Sequence, residues 1–277
     1  MISRMTDSVA VSEGSCAMSR RTLLFLMAVA GAGMVAGCCG PSQAHPSERA
    51  AEANPAAAGH EKRAAGIVRA GRGILAPVYA PLAEQIVSDF GLAGKEGTGI
   101  DVGSGPGTLI IELAKRTKMH WINADINPQV FPGFARLADA CGLGHRVGMV
   151  RADAQDLPFR DNYADVIVSR GSYHFWDDRK KGFQEIYRVL KPGAVAYVGR
   201  GFSRDLPLET ARRIRSKQGK KMRYDRRKAA EELRTIMTDL GIAAYRIDVP
   251  KAPGGEDVNY GIWIEFRKPL AKGTSPD

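Results

Sequence analysis

An α/β fold on a seven-stranded, mostly parallel sheet is predicted by three features of this 277-residue chain. Short apolar segments at about 98–103, 119–125, 146–151, 164–169 and 194–200 alternate with helical segments near 107–117, 129–141 and 179–190. Such alternation produces a parallel sheet covered on both faces by helices. A glycine-rich turn, Gly99-Ile-Asp-Val-Gly-Ser-Gly-Pro-Gly-Thr108, joins the first strand to the first of those helices. Finally, Ala243-Ala-Tyr-Arg-Ile-Asp-Val-Pro250 and Asn259-Tyr-Gly-Ile-Trp-Ile-Glu-Phe-Arg267 flank a Pro253-Gly-Gly255 turn and form a closing antiparallel hairpin. A composition of 44% hydrophobic and 25% charged residues is that of an ordinary globular chain, and one core accounts for it.

The chain opens on a different grammar. Ser19-Arg20-Arg21 precedes an uncharged run, Thr22 to Gly37, of 16 residues that ends in small residues and Cys38. This is shorter than the ~20 residues a spanning helix needs and suits a signal peptide better. The paired arginines resemble a twin-arginine export signal, and Val35-Ala-Gly-Cys38 resembles a bacterial lipobox, which implies lipidation at Cys38. The expected organisation is a signal peptide over 1–38, a disordered tether over 39–66, a folded domain over 67–270 and a tail over 271–277. The tether is rich in Ala, Pro, Ser, Glu and Gly, and about 28 flexible residues span roughly 30 Å. That organisation places the domain in the cell envelope as a membrane-anchored lipoprotein exported already folded. The alternative is a cytoplasmic protein with a misassigned start, and Met18 offers a later one.

The folded part starts in Pro77 to Phe90, where Val78, Leu82, Ile86 and Phe90 recur every fourth residue and Gly91 supplies a stop. In the turn that follows the first strand, Gly103, Gly105 and Gly107 let the backbone bend sharply and approach a ligand closely. A dinucleotide fingerprint needs glycine at its first, third and sixth positions. Counted from Gly103, the sixth is Thr108, so NAD or FAD binding is disfavoured.

The Asp-x-Gly-x-Gly-x-Gly form resembles motif I of the class I S-adenosylmethionine (SAM)-dependent methyltransferases, with a domain like methyltransferase type 11, and four further segments fall in that family's order. Met119 to Asp125 resembles the second strand with its terminal carboxylate, 18 residues beyond Gly107. Val150 to Phe159 is similar to the adenine loop, Tyr163 to Arg170 to the fourth strand, and Gly182 to Gly193 to the helix and turn before the fifth. The match covers roughly residues 77–202. It implies a Rossmann-like, doubly wound sheet with SAM as co-substrate and no metal. The cofactor-binding residues it implies are Asp101, Gly103, Ser104, Gly105, Gly107, Asp125, Ile126, Asp153, Ala154, Ser169 and Arg170. Asp125 would hold both ribose hydroxyls, Asp153 the adenine amine and the Ala154 amide the ring. Arg170 would meet either the methionine carboxylate or an acidic substrate.

Methyl transfer needs little beyond an aligned nucleophile, and a base is optional. Ser169-Arg-Gly-Ser-Tyr-His-Phe-Trp176 follows the fourth strand, and within it His174 is the first candidate base, ahead of Tyr173 and of Tyr79. The four cysteines are Cys16, Cys38, Cys39 and Cys141, so no disulfide framework or zinc cluster is available, and Cys141 is expected to be a buried small hydrophobe. Residues 203–234 carry twelve Lys or Arg against five acids, +7 of the formal +10. That segment could cover an anionic small-molecule acceptor, touch anionic lipid, or be a solvated face. Nucleic acid is disfavoured, because Tyr224 is its only aromatic residue. The function expected is methyl transfer to a small-molecule acceptor. The alternative is a non-catalytic envelope protein that binds SAM or S-adenosylhomocysteine.

Overall fold

The computed structural model describes residues 65, 66, 68–218, 224–256 and 258–270, all within one unit, Glu52–Asp277. The leader, Cys38, nearly all of the tether and the tail lie outside the described residues, as do Lys220, Lys221 and Arg223 of the basic segment. Among the described residues no helix is long and apolar enough to cross a membrane.

Helix α1 (Ala76–Asp89) buries Val78, Leu82 and Ile86 as the four-residue spacing requires, and Gly91 ends it with a φ of 58°. Burial of such side chains contributes about 2 kcal/mol each. The chain then runs through β1 (Thr98–Val102), α2 (Thr108–Arg116), β2 (His120–Asp125), α3 (Phe131–Ala140), β3 (Val147–Arg151) and β4 (Ala164–Arg170). It continues through α4 (Arg179–Val189), β5 (Leu190–Gly201), α5 (Leu208–Gln218), α6 (Arg226–Asp239), β6 (Tyr245–Asp248) and β7 (Gly261–Arg267). The expected 129–141 helix is split, because Asn127 caps a separate 3-10 turn, Pro128–Val130, before α3 begins.

The strand order is β3-β2-β1-β4-β5-β7-β6, parallel except where β7 runs antiparallel between β5 and β6. This is the expected seven-stranded α/β sheet with its closing hairpin. Alternation along each strand feeds two cores. Ile100, Ile122 and Ile167 face the side packed by α4 and α6, whereas Trp121, Val166 and Val168 face the side packed by α1 to α3. A smaller cluster of Val78, Phe202, Leu206, Ile214 and Tyr260 seats α5 beyond the end of β5. Because the chain leaves β1 and β4 in opposite directions across the sheet, a crevice opens at their carboxyl ends, where ligands of such sheets bind.

Cys141 is not buried. It is the residue that ends α3, and its free thiol is exposed, because the apolar stripe of that helix stops at Phe134 and Ala138.

Candidate functional site

The loop after β1 is held by backbone geometry. Gly103, Gly105 and Gly107 take φ values of 69°, 57° and 70°, in the left-handed region where a side chain is strained. A Cβ at Gly103 would also run into Ser172, and one at Gly107 into the Phe134 ring. The loop is anchored from β2, because Gly103 N donates to Ala124 O at 2.7 Å and Asn123 Nδ2 to Gly105 O at 3.2 Å.

Two carboxylates flank that loop in different states. Asp125 accepts from Gly105 N through Oδ2 at 2.7 Å and from Asn127 N through Oδ1 at 2.9 Å. Burial raises its pKa, and these two backbone bonds hold it back. Asp101 is buried more deeply. Its Oδ2 accepts from Ser104 Oγ at 2.6 Å, while Oδ1 is buried without a hydrogen-bond partner among the described residues. Burial, aided by the Asp125 charge, pushes Asp101 up to about 7, against the pull of Ser104 and Arg170. A buried carboxylate oxygen with nothing to accept is costly, and a cationic donor from a ligand would relieve it.

Beyond β2, Ile126 is 60% exposed, an apolar surface beside Asp125. Asp153 Oδ1 takes both the main-chain and side-chain N–H of Gln155, at 2.9 and 3.1 Å, and Ala154 is buried next to it. Gln155 Oε1 in turn accepts from Asp178 N at 2.6 Å, tying this loop to the start of α4.

The other side of the crevice is aromatic and basic. Arg170 lies over the Tyr79 ring at 5.1 Å and donates from Nε to Gly201 O at 3.2 Å. His174 sits in the 3-10 turn Tyr173–Phe175, its Nδ1 buried without a hydrogen-bond partner among the described residues. Burial, and then the charges of Arg200 and Arg179, lower its pKa to about 4, so the imidazole is neutral at physiological pH.

A methyltransferase-domain family model matches residues 100–198, from β1 to β5. Over 77% of this chain and 95% of its own, at 30% identity and a TM-score of 0.66, the fold matches a crystal structure assigned as an S-adenosyl-L-methionine-dependent methyltransferase from Methanococcus maripaludis. The chain belongs to the SAM-dependent methyltransferases. Within that family it is 38% identical over 97 residues to a chloroplastic 2-methyl-6-phytyl-1,4-hydroquinone methyltransferase of Arabidopsis thaliana, covering 35% of this chain and 28% of the other. It is 37% identical over 97 residues to a ubiquinone/menaquinone biosynthesis C-methyltransferase of Vibrio cholerae, covering 34% and 37%. These matches thus span well under half of either curated relative.

As a SAM-dependent methyltransferase, the chain gathers its expected cofactor residues unequally. Asp101, Gly103, Gly105, Gly107, Asp125 and Ile126 lie at the carboxyl ends of β1 and β2 and in the loop after β1, with Asp153 and Ala154 on the loop after β3. Ser104 turns its hydroxyl to Asp101 and orients that carboxylate. Ser169 is fully buried, and its hydroxyl bonds to Val102 O at 2.7 Å, joining β4 to β1. The expectation of Tyr173 as a base is corrected. It is packed against Trp176 and Phe183, and burial raises its phenol to about 12.

Sequence reasoning missed Asn123, Gln155 and Ser172. The Ser172 hydroxyl lies 2.9 Å from Val102 O and 2.6 Å from Ser169 Oγ, beneath Gly103. A polar residue in the middle of the apolar strand β2 was the available signal for Asn123; nothing in the sequence marked the other two. Among the described residues no group of His, Cys, Asp and Glu could hold a metal ion.

Proposed function

We propose that this protein transfers the methyl group of SAM to a nucleophilic atom of a small-molecule acceptor. Bound SAM supplies an electrophilic methyl on a sulfonium, and the acceptor atom gains that methyl as S-adenosylhomocysteine leaves. The observation that carries this reading is the orphaned Oδ1 of Asp101 beside a glycine cradle, which suits the ammonium of the methionine moiety. The Asp125 carboxylate would accept from the ribose hydroxyls with the lone pairs that its two backbone bonds leave. Ile126 would lie against the adenine ring, Asp153 would take its amine, and Arg170 would hold the methionine carboxylate.

His174 is neutral, so it would accept a hydrogen bond from the acceptor and steer it. A conjugate acid near 4 makes it a poor store for a proton at neutral pH. The acceptor's own ionisation would then supply the nucleophile.

Calorimetric titration with SAM and S-adenosylhomocysteine tests the reading, followed by labelled methyl transfer to a panel of small acceptors. Micromolar binding with multiple turnover is the expected result. Tight binding without turnover on any acceptor would favour the non-catalytic binding protein, and no adenosyl binding would overturn both.

The resemblance of residues 19–38 to an export signal and lipobox supports a second proposal, that the protein is anchored in the cell envelope through Cys38. Mass spectrometry of the mature amino terminus tests it: a diacylglyceryl group on Cys38 is expected, and an intact leader on a soluble chain would point to the cytoplasmic alternative.

A further inference from the structure

The chain between β3 and β4 carries Asp153 and Ala154, and it has almost no regular structure of its own. Beyond a single bridge between Asp153 and Asp156, it is held by other elements. Its start is fixed to β2, because Ala152 N donates to Asp125 O at 3.0 Å. Farther on, the Leu157 side chain is buried and takes its own peptide groups away from water. Buried N–H and C=O groups need partners, and α4 supplies both. Leu157 N donates to Glu185 Oε2 at 3.0 Å, and Arg188 Nη2 donates to Leu157 O at 3.0 Å. Arg188 Nη1 adds a bond to Phe159 O at 2.7 Å.

The two α4 side chains are themselves one unit. Glu185 is buried, and Arg188 grips it with two parallel bonds, Nε to Oε1 at 3.0 Å and Nη2 to Oε2 at 2.7 Å. Such a fork fixes the plane of each group against the other. The bond from Arg188 outweighs burial and holds the Glu185 carboxyl below its ordinary pKa, so the pair stays charged at neutral pH.

A second strut reaches the Asp153 carboxylate itself. Gln155 donates from Nε2 to Asp153 Oδ1 at 3.1 Å and accepts from Asp178 N through Oε1 at 2.6 Å. Asp178 is the residue that caps α4, its Oδ1 accepting from Lys181 N at 2.9 Å. The loop is therefore tied to α4 at two places, once through the backbone around Leu157 and once through the side chain of Asp153. A carboxylate tells an amine from an oxygen at the same ring position only if it cannot turn or withdraw. Held in place, it accepts from the amine and repels the oxygen; on an untied loop it would move aside.

Resting on the assignment of Asp153 to the adenine amine, we propose that Gln155, Glu185 and Arg188 are positioning residues for adenine, and that α4 is the rigid mount on which selectivity for the adenosyl group depends.

The test is calorimetric titration of the full chain with S-adenosylhomocysteine and with S-inosylhomocysteine, in which an oxygen replaces the amine. The wild type is expected to prefer the adenosyl compound at least about tenfold. Gln155→Ala and Glu185→Gln should each bring that preference below about threefold, mainly by weakening the adenosyl compound. Lys180→Gln removes an exposed ion pair with Asp239 from the same helix and should leave the preference unchanged. Loss of stability alone would lower the unfolding temperature without altering a ratio of affinities measured on folded protein. If Glu185→Gln fails to fold by circular dichroism, Gln155→Ala decides, because its side chain is only half-buried.

A preference that stays at the wild-type value in every folded variant would overturn the proposal. A wild type that binds both compounds equally would overturn the Asp153 assignment and the proposal with it. Protein that binds neither would overturn the cofactor reading on which both rest.

Discussion

The carboxyl ends of β1 and β2 and those of β4 and β5 lie along one edge of the same sheet, and they are built by different means. Around β1 and β2 the candidate groups belong to contiguous stretches, three glycines in left-handed conformations and two carboxylates that end or nearly end their strands. Around β4 and β5 the groups come from distant parts of the chain: Tyr79 from α1, Arg170 from β4, Arg200 from β5, Arg215 from α5 and Tyr224 before α6. The first half is shaped by backbone and is intolerant of change. The second uses long side chains held on aromatic faces, so its residues can be exchanged singly with narrower consequences.

Gly107→Val should show the largest effect, because it joins left-handed strain to a collision with Phe134. A loss of about 3–5 kcal/mol is expected in urea unfolding, or failure to fold. A cost below about 1 kcal/mol would mean that the loop relaxes and the contrast between the halves is weaker than drawn. Asp125→Ala should come next, weakening SAM binding by about 1.5–3 kcal/mol, ten- to a hundredfold by calorimetry.

Asp101 makes the cofactor half sensitive to pH. Its carboxyl titrates near 7 in the ligand-free protein, and the ammonium of SAM favours the ionised form, so a protonated Asp101 must first lose its proton. Affinity is therefore expected to level off toward pH 8 and to fall as pH drops through 7, by about tenfold between pH 8 and pH 6. Asp101→Asn should abolish that slope; a slope unchanged in the variant would assign it to another group.

His174 sharpens the contrast from the acceptor side. His174→Gln should leave SAM affinity within about twofold and lower turnover. Because its pKa lies near 4, the wild-type rate should show no inflection from imidazole protonation between pH 5.5 and 8. An inflection near 6.5 that disappears in the variant would restore the role of base. The smallest effect belongs to Cys141→Ser, at under about 0.5 kcal/mol, with the native thiol reacting readily with a thiol reagent in the folded protein.

The strands, the sheet class, the closing hairpin and the cofactor loop were legible in the sequence, because each rests on local periodicity or on glycines spaced two apart. A left-handed turn needs its glycines in place whatever surrounds them. The bounds of β5 were read short, since Leu190 to Gly193 looks like a turn, but Leu190 pairs with Ala164 across an irregular register and draws the strand back to the end of α4.

What the sequence could not decide was the chemical state and company of the polar side chains. It offered His174 and Tyr173 as bases and Cys141 as a buried hydrophobe, and residue type says nothing about desolvation. Burial in the packed turn neutralises His174 and locks the Tyr173 phenol, while the end of α3 leaves Cys141 in water. Nor could a run of twelve basic residues reveal that Arg204 and Arg212 are spent on carboxylates while Arg215 turns toward Phe202. Asp89 and Glu256 lie 115 and 44 residues from the arginines they pair with, and only the packed sheet brings them within the few ångströms over which charge and hydrogen bonding act.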